Sequence, residues 1–252
     1  MIIKDDSPLR RIPTVLAREQ VLFIDGIRYG ISMADYAYAR LCMAVDRITQ
    51  HFISGEQSGK AVPNADAEIN CAMNDAWSMV DSIHRLRELL SGMPNLKQKA
   101  VELRLFRKAT NECLSLRNAV QHLRHEIRAL VKMDQPVWGE ITWVALESPQ
   151  AEIFRCFFIY AGTVYHNFAG PAFQPFGKPV RCPVDHISLN AHGISVSLTD
   201  CHESLQQVTT FLEQLVAQTL QEQLGKDAPI NAADIIGAIE FRKGPPKSDN
   251  LS

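Results

Sequence analysis

From Tyr29 to about Phe52, apolar residues fall at Ala34, Ala37, Leu41, Ala44, Ile48 and Phe52. That spacing of three to four predicts an amphipathic helix. The DG of FIDGIRYG reads as a turn before it, and SGEQSGKAVPNAD, with two glycines and a proline, ends it. A second helix is expected from about Ala65 to Leu90, with Ile69, Met73, Trp77, Val80, Ile83, Leu86 and Leu90 as its stripe. SGMPN closes it, placing Gly92 and Pro94 just past the last turn. A third helical stretch spans about Leu96 to Met133, with Cys113, Leu116, Val120, Leu123, Ile127 and Leu130 on one stripe. A break near Thr110 and Asn111 would divide it.

The period changes near Pro136. Ile141, Trp143 and Ala145 alternate with Thr142, Val144 and Leu146, and EIFRCFFIYAGTVYH is β-branched and aromatic. Joined by ESPQAE, the two runs predict a hairpin. RCPVDHISL and ISVSL, joined by NAHG, predict a second. A last helix is expected from about Cys201 to Leu224, with Asp200 and Glu203 at capping-box spacing. The expected class is α+β: an N-terminal antiparallel helical bundle, then a small antiparallel β-sheet with a C-terminal helix. The pattern divides the chain into a bundle over residues 1–135, a sheet plus helix over 136–225, and a partly disordered tail over 226–252.

Composition adds exclusions. With 252 residues, 46% hydrophobic, 21% charged and a net charge of -2, the chain is neither disordered nor an overall basic nucleic-acid coat. MIIKDDSPLRRIPTV does not read as a signal peptide, and no apolar run is long enough to span a bilayer. A cytoplasmic protein without a membrane partner is expected. The six cysteines form no CxxC pair and read as small buried hydrophobes.

One motif points to chemistry. Residues 117–122, Arg-Asn-Ala-Val-Gln-His, read R-N-x-x-x-H. This resembles the signature of the HEPN superfamily (higher eukaryotes and prokaryotes nucleotide-binding domains), over about residues 20–133. LRHEIRAL and DAWSMVDSIHRLREL also resemble a bacterial family of uncharacterised proteins with this motif. The resemblance implies a small α-helical bundle and a metal-independent endoribonuclease active as a homodimer, needing no cofactor. It implies Arg117 and His122 as catalytic residues. No family resemblance extends to the β half.

The residue types suit that reaction. RNA cleavage deprotonates the 2′-hydroxyl and protonates the departing 5′-oxygen, and an imidazole can relay a proton at either step. A guanidinium can hold the scissile phosphate and stabilise added charge. Asn118 would orient by hydrogen bonding, or face His122 on the helix surface. On a straight helix Arg117 lies about 100° to one side of the apolar stripe and His122 about 120° to the other. A tight pair within one straight helix is therefore difficult; a second copy across a two-fold axis, or a bend near Arg117, would change that. The surroundings are basic: Arg104, Arg107, Lys108, Arg124 and Arg128 are candidate nucleic-acid contacts. They could equally form a solvated face of i, i+4 pairs.

Other candidates read more plainly. Asp81, His84 and Arg85 share a helix face, which an Asp–Arg surface pair explains. His125 lies opposite the apolar stripe and reads as solvent-facing. Cys182, His186, His192, Cys201 and His202 match no regular zinc spacing, so no metal is expected. Trp138, Trp143, Phe154, Phe157, Phe158 and Tyr160 read as sheet core. Two alternatives to the nuclease stay open: a catalytically silent module binding a partner protein, and a non-cleaving binder of nucleic acid or nucleotide.

Overall fold

The computed structural model describes residues 1–58, 66–133, 135–162, 179–222, 229–232, 234 and 236–238. Six helices are described: α1 (Arg18–Ser58), α2 (Asp66–Gly92), α3 (Val101–Ala109), α4 (Asn111–Gln121), α5 (Leu123–Met133) and α6 (Leu198–Glu222). The strands are β1 (Arg11–Ile12), β2 (Glu140–Leu146), β3 (Phe154–Tyr160), β4 (Val184–Ala191), β5 (Ile194–Ser197) and β6 (Ile230–Asn231). The architecture is α+β, with an N-terminal bundle, antiparallel sheets and a C-terminal helix. No helix among the described residues is long and apolar enough to cross a membrane.

The first helix starts earlier than its stripe suggests. Asp25 and Gly26 lie inside α1, not in a turn before it. The two glycines serve packing: a Cβ on Gly26 would sit 3.2 Å from Leu89 Cδ1, and one on Gly30 would sit 3.5 Å from Leu86 Cβ. They let α1 lie close along α2, its main partner. Ile24, Ile27, Ile31, Ala34 and Leu41 of α1 are buried in one hydrophobic cluster with Ala76, Met79, Ile83 and Leu86 of α2.

The long third stretch is three helices. Thr110 (φ −106, ψ 15) separates α3 from α4, and His122 (φ −105, ψ 24) separates α4 from α5. The first break was expected; the second was not, because the apolar stripe runs through it.

Both hairpins form. The main sheet has order β3-β2-β4-β5, all antiparallel, with Trp143 opposite Phe157 and Leu189 opposite Val196. α6 begins three residues before the expected start. Its N-terminus is capped by Ser197, whose Oγ accepts from the Asp200 N–H at 3.1 Å. The expected Asp200–Glu203 box therefore lies within the helix.

Sheet and bundle share one buried cluster, which α6 joins through Leu205, Val208 and Leu212. The division at residue 136 is thus one of pattern, and the core continues across it. Part of the segment assigned to a disordered tail is tied down. β6 pairs with β1, and Asp234 accepts from Arg28 Nη2 at 3.0 Å and from Tyr29 Oη at 2.5 Å. Residues 226–228, 233, 235 and 239–252 of that segment lie outside the described residues.

Candidate nucleic-acid interface

Arg87 of α2 fixes the corner that aims α4. Its Nη1 donates to Arg107 O at 2.5 Å and to Thr110 Oγ1 at 2.7 Å. Burial lowers the pKa of this guanidinium from its ordinary value. With that corner held, Cys113 and Leu116 turn into the core. Cys113 Sγ lies 3.8 Å from Cys201 Sγ, and that thiol neighbour together with burial drives the Cys201 pKa far up.

Arg117, one residue past Leu116, then enters a groove of about 330 Å³ shared with α2 and the turn before β2. The groove is lined by Trp77, Val80, Asp81, Arg85, Arg117, Val120, Gln121 and Trp138. The Arg117 guanidinium donates to Gln121 Oε1. Among the described residues no carboxylate lies within ion-pair distance of it. Arg85 Nη2 pairs with Asp81 Oδ2 at 2.7 Å, so the groove carries two arginines against one aspartate.

The wall is aromatic. Trp77 and Trp138 meet edge to face, ring centres 6.4 Å apart and planes at 75°. Trp77 Nε1 donates to Trp138 O at 3.1 Å. Gly139 sets Trp138 in place: its φ is +80°, and a Cβ there would fall 2.4 Å from Asn190 O. Trp138 remains 48% exposed, which corrects its expected place in the sheet core; Phe154 and Phe158 are also exposed. Trp143 and Phe157 do stack in the sheet, 5.6 Å apart.

His122 is placed differently. Its N–H bonds back to Ala119 O at 3.1 Å, and its carbonyl accepts from the His125 and Glu126 N–H groups at 2.8 and 3.3 Å. The residue is thus the hinge between α4 and α5, exposed, and outside the lining of the Arg117 groove. Asn118 is exposed on α4. The structure brings Arg117 together with Asp81, Arg85 and the two tryptophans; it does not bring His122 of the same chain into that groove.

The basic candidates also divide. Arg124 and Arg128 are exposed one turn apart on α5, and Arg104 and Lys108 are exposed on α3. Arg107 is an internal brace, donating from Nη1 to Gln98 O at 3.1 Å and from Nη2 to Gln98 Oε1. His84 is only 5% exposed and does not share the outer face of Asp81 and Arg85. His125 is exposed.

The zinc candidates are scattered. Cys182 Sγ approaches Leu146 O, His186 Nε2 lies 3.0 Å from Pro179 O, and His202 Nε2 lies 2.8 Å from Asp35 Oδ1. Among the described residues no three His, Cys, Asp or Glu side chains form a metal-holding group.

The groove was only partly legible. Trp77, Asp81 and Arg85 recur every four residues on α2, so one face of that helix carries an aromatic ring and an ion pair. That was the available signal. Nothing local announces Trp138, which reaches the groove through the turn at Gly139. Comparison with protein-family models, with curated proteins and with solved structures finds no match for this chain.

Proposed function

We propose that this chain is a HEPN-like RNA-binding protein that cleaves RNA without a metal ion, with the reacting groups drawn from two copies of the chain. One observation carries the reading: Arg117 lines an open groove beside a second arginine and two tryptophans, with no carboxylate partner among the described residues. Such a groove suits single-stranded RNA, since guanidinium groups hold phosphates and an exposed indole stacks on a base.

In the proposed step, the imidazole of His122 relays the proton between the 2′-hydroxyl and the departing 5′-oxygen. Arg117 stabilises the charge that builds on the phosphate between them. Since His122 lies outside the groove of its own chain, the proposal takes it from the second subunit. Asn118 would orient the imidazole or the phosphate. Arg124 and Arg128 on α5, with Arg104 and Lys108 on α3, would track the RNA backbone.

The test is cleavage of RNA in EDTA by wild type, Arg117→Ala and His122→Ala. Both variants should stay folded and lose cutting. Mixed in equal amounts and allowed to exchange subunits, they should recover about a quarter of wild-type activity, because half the dimers then hold one intact site. Undiminished cutting by both variants would remove the mechanism.

A second reading rests on the groove being complete without His122. On that reading the chain binds RNA or a nucleotide without cutting it. Wild type would then retard RNA in a gel and leave it whole.

A further inference from the structure

The described part of the tail is held by charge more than by packing. β6 meets β1 at two residue pairs, Arg11 with Asn231 and Ile12 with Ile230. Ile230 is 59% exposed and Ile236 fully exposed, so their burial adds little to the attachment. What the segment delivers is a carboxylate. Asp234 accepts from Arg28 Nη1 and Nη2 at 3.4 and 3.0 Å and from the Tyr29 hydroxyl at 2.5 Å. Its Oδ2 also lies 3.7 Å from Arg10 Nη1.

The groups that receive this carboxylate are built into the fold. The Arg28 side chain is only 5% exposed, with its guanidinium carbon 4.5 Å from the Tyr29 ring centre. A buried guanidinium needs a counter-charge. Asp25 supplies part of it, 3.5 Å from Nη2, and Asp234 supplies the rest. Donors still outnumber acceptors, because the Nε–H groups of Arg10 and Arg28 are buried without a hydrogen-bond partner. With Asp234 withdrawn, two guanidiniums and a phenol would be left with Asp25 among the described carboxylates. The bonds from Arg28 and Tyr29 hold the Asp234 pKa down to about 2, so the group filling this place is an anion. A carboxylate offers two oxygens in one plane and a single charge. A phosphate offers at least three free oxygens in a tetrahedron and close to two charges at neutral pH.

We propose that Arg10, Arg28 and Tyr29 form a receptor for a phosphate group, whether free phosphate or a phosphate monoester, and that Asp234 is an internal stand-in which this ligand displaces. The tethered carboxylate competes at an effective concentration on the order of millimolar, which sets the level of ligand that opens the site. This goes beyond the cleavage reading, since none of these four residues lines the Arg117 groove. Phosphate binding is measured without RNA, so its failure and the failure of the EDTA assay are separate results.

The test is isothermal titration of the full chain with inorganic phosphate at neutral pH. Asp234→Ala should bind phosphate about tenfold more tightly than wild type, because the tethered competitor is gone. In that background Arg10→Gln should cancel the gain, again about tenfold, with circular dichroism unchanged, since the Arg10 side chain is 27% exposed. Arg117→Ala, in the separate groove, should leave the gain intact. Acetate should bind Asp234→Ala about tenfold more weakly than phosphate does. Uridine 5′-monophosphate distinguishes the two sources: binding like that of phosphate assigns the site to esters, and exclusion assigns it to the free ion. No gain on Asp234→Ala overturns the inference. So does a gain that survives Arg10→Gln or disappears with Arg117→Ala, and so does acetate binding as tightly as phosphate.

Discussion

Trp143 donates its indole N–H to Thr49 Oγ1 at 2.9 Å, across 94 residues of chain. The bond joins β2, one of the two inner strands of the sheet, to the last third of α1. Both residues are buried, and the Thr49 hydroxyl in turn donates to Val45 O at 2.8 Å. Thr49→Val keeps the shape and strands a buried N–H. It should cost about 1–3 kcal/mol, whereas Thr49→Ser keeps the hydroxyl and should cost about 1 kcal/mol. Urea titration checks this as a shift of midpoint at constant slope. Equal midpoints for the two variants would show that the bond carries no weight.

Two glycines should respond with opposite sign. A Cβ on Gly30 meets Leu86 at ordinary contact distance, so Gly30→Ala should stabilise α1 by about 0.5–1 kcal/mol through helix propensity. A Cβ on Gly139 meets the Asn190 carbonyl at 2.4 Å from a left-handed backbone, so Gly139→Ala should destabilise strongly, by about 2 kcal/mol or more. Thermal melts of the two variants, moving in opposite directions, check the pair. Gly139→Ala should also disturb Trp138 and with it the groove.

Binding at the groove should separate stacking from charge. Trp138→Ala should weaken single-stranded RNA about tenfold, at any salt concentration, through loss of one stacked base. Arg117→Gln should weaken binding and lower the slope of log affinity against log salt by about one. Fluorescence anisotropy with a labelled oligonucleotide over a salt series measures both. If neither variant changes affinity, RNA does not use this groove.

Acid should loosen the contact between α1 and α6. Burial alone would raise the pKa of the Asp35 carboxyl; hydrogen bonds from His202 and the Ile2 N–H, and the nearby positive charges, outweigh it and hold the pKa below the ordinary value. A depressed folded pKa gives stability that is present above the unfolded value, about 3.9, and is lost as pH falls through the folded one. Asp185 behaves alike: burial raises its pKa, and the Arg181 guanidinium with two backbone N–H groups brings it below the usual range. Asp35→Asn should therefore be less stable than wild type near pH 7 and converge on it as pH falls through the depressed pKa of the folded carboxyl. Denaturant titrations at a series of pH values test it, and a difference that persists undiminished in acid would assign the effect to something other than the carboxylate.

The sequence by itself determined which stretches are helix and which are strand, because burial of one face imposes a period of 3.6 or of 2 on the chain. It marked the α2 stripe, both hairpins and the break at Thr110. It misread the ends of α1 and α6, where a glycine that serves packing looks like a turn and where either of two polar residues, Ser197 or Asp200, could have capped. The second break, at His122, left no mark, since apolar spacing can continue across a hinge. Only tertiary structure decided that Arg107 braces a loop while Arg117 is left open, that Trp138 lines a groove, and that His84 is inside while Arg85 is out. Periodicity records that a residue is covered, and the element that covers it is chosen by contacts between segments far apart in the chain.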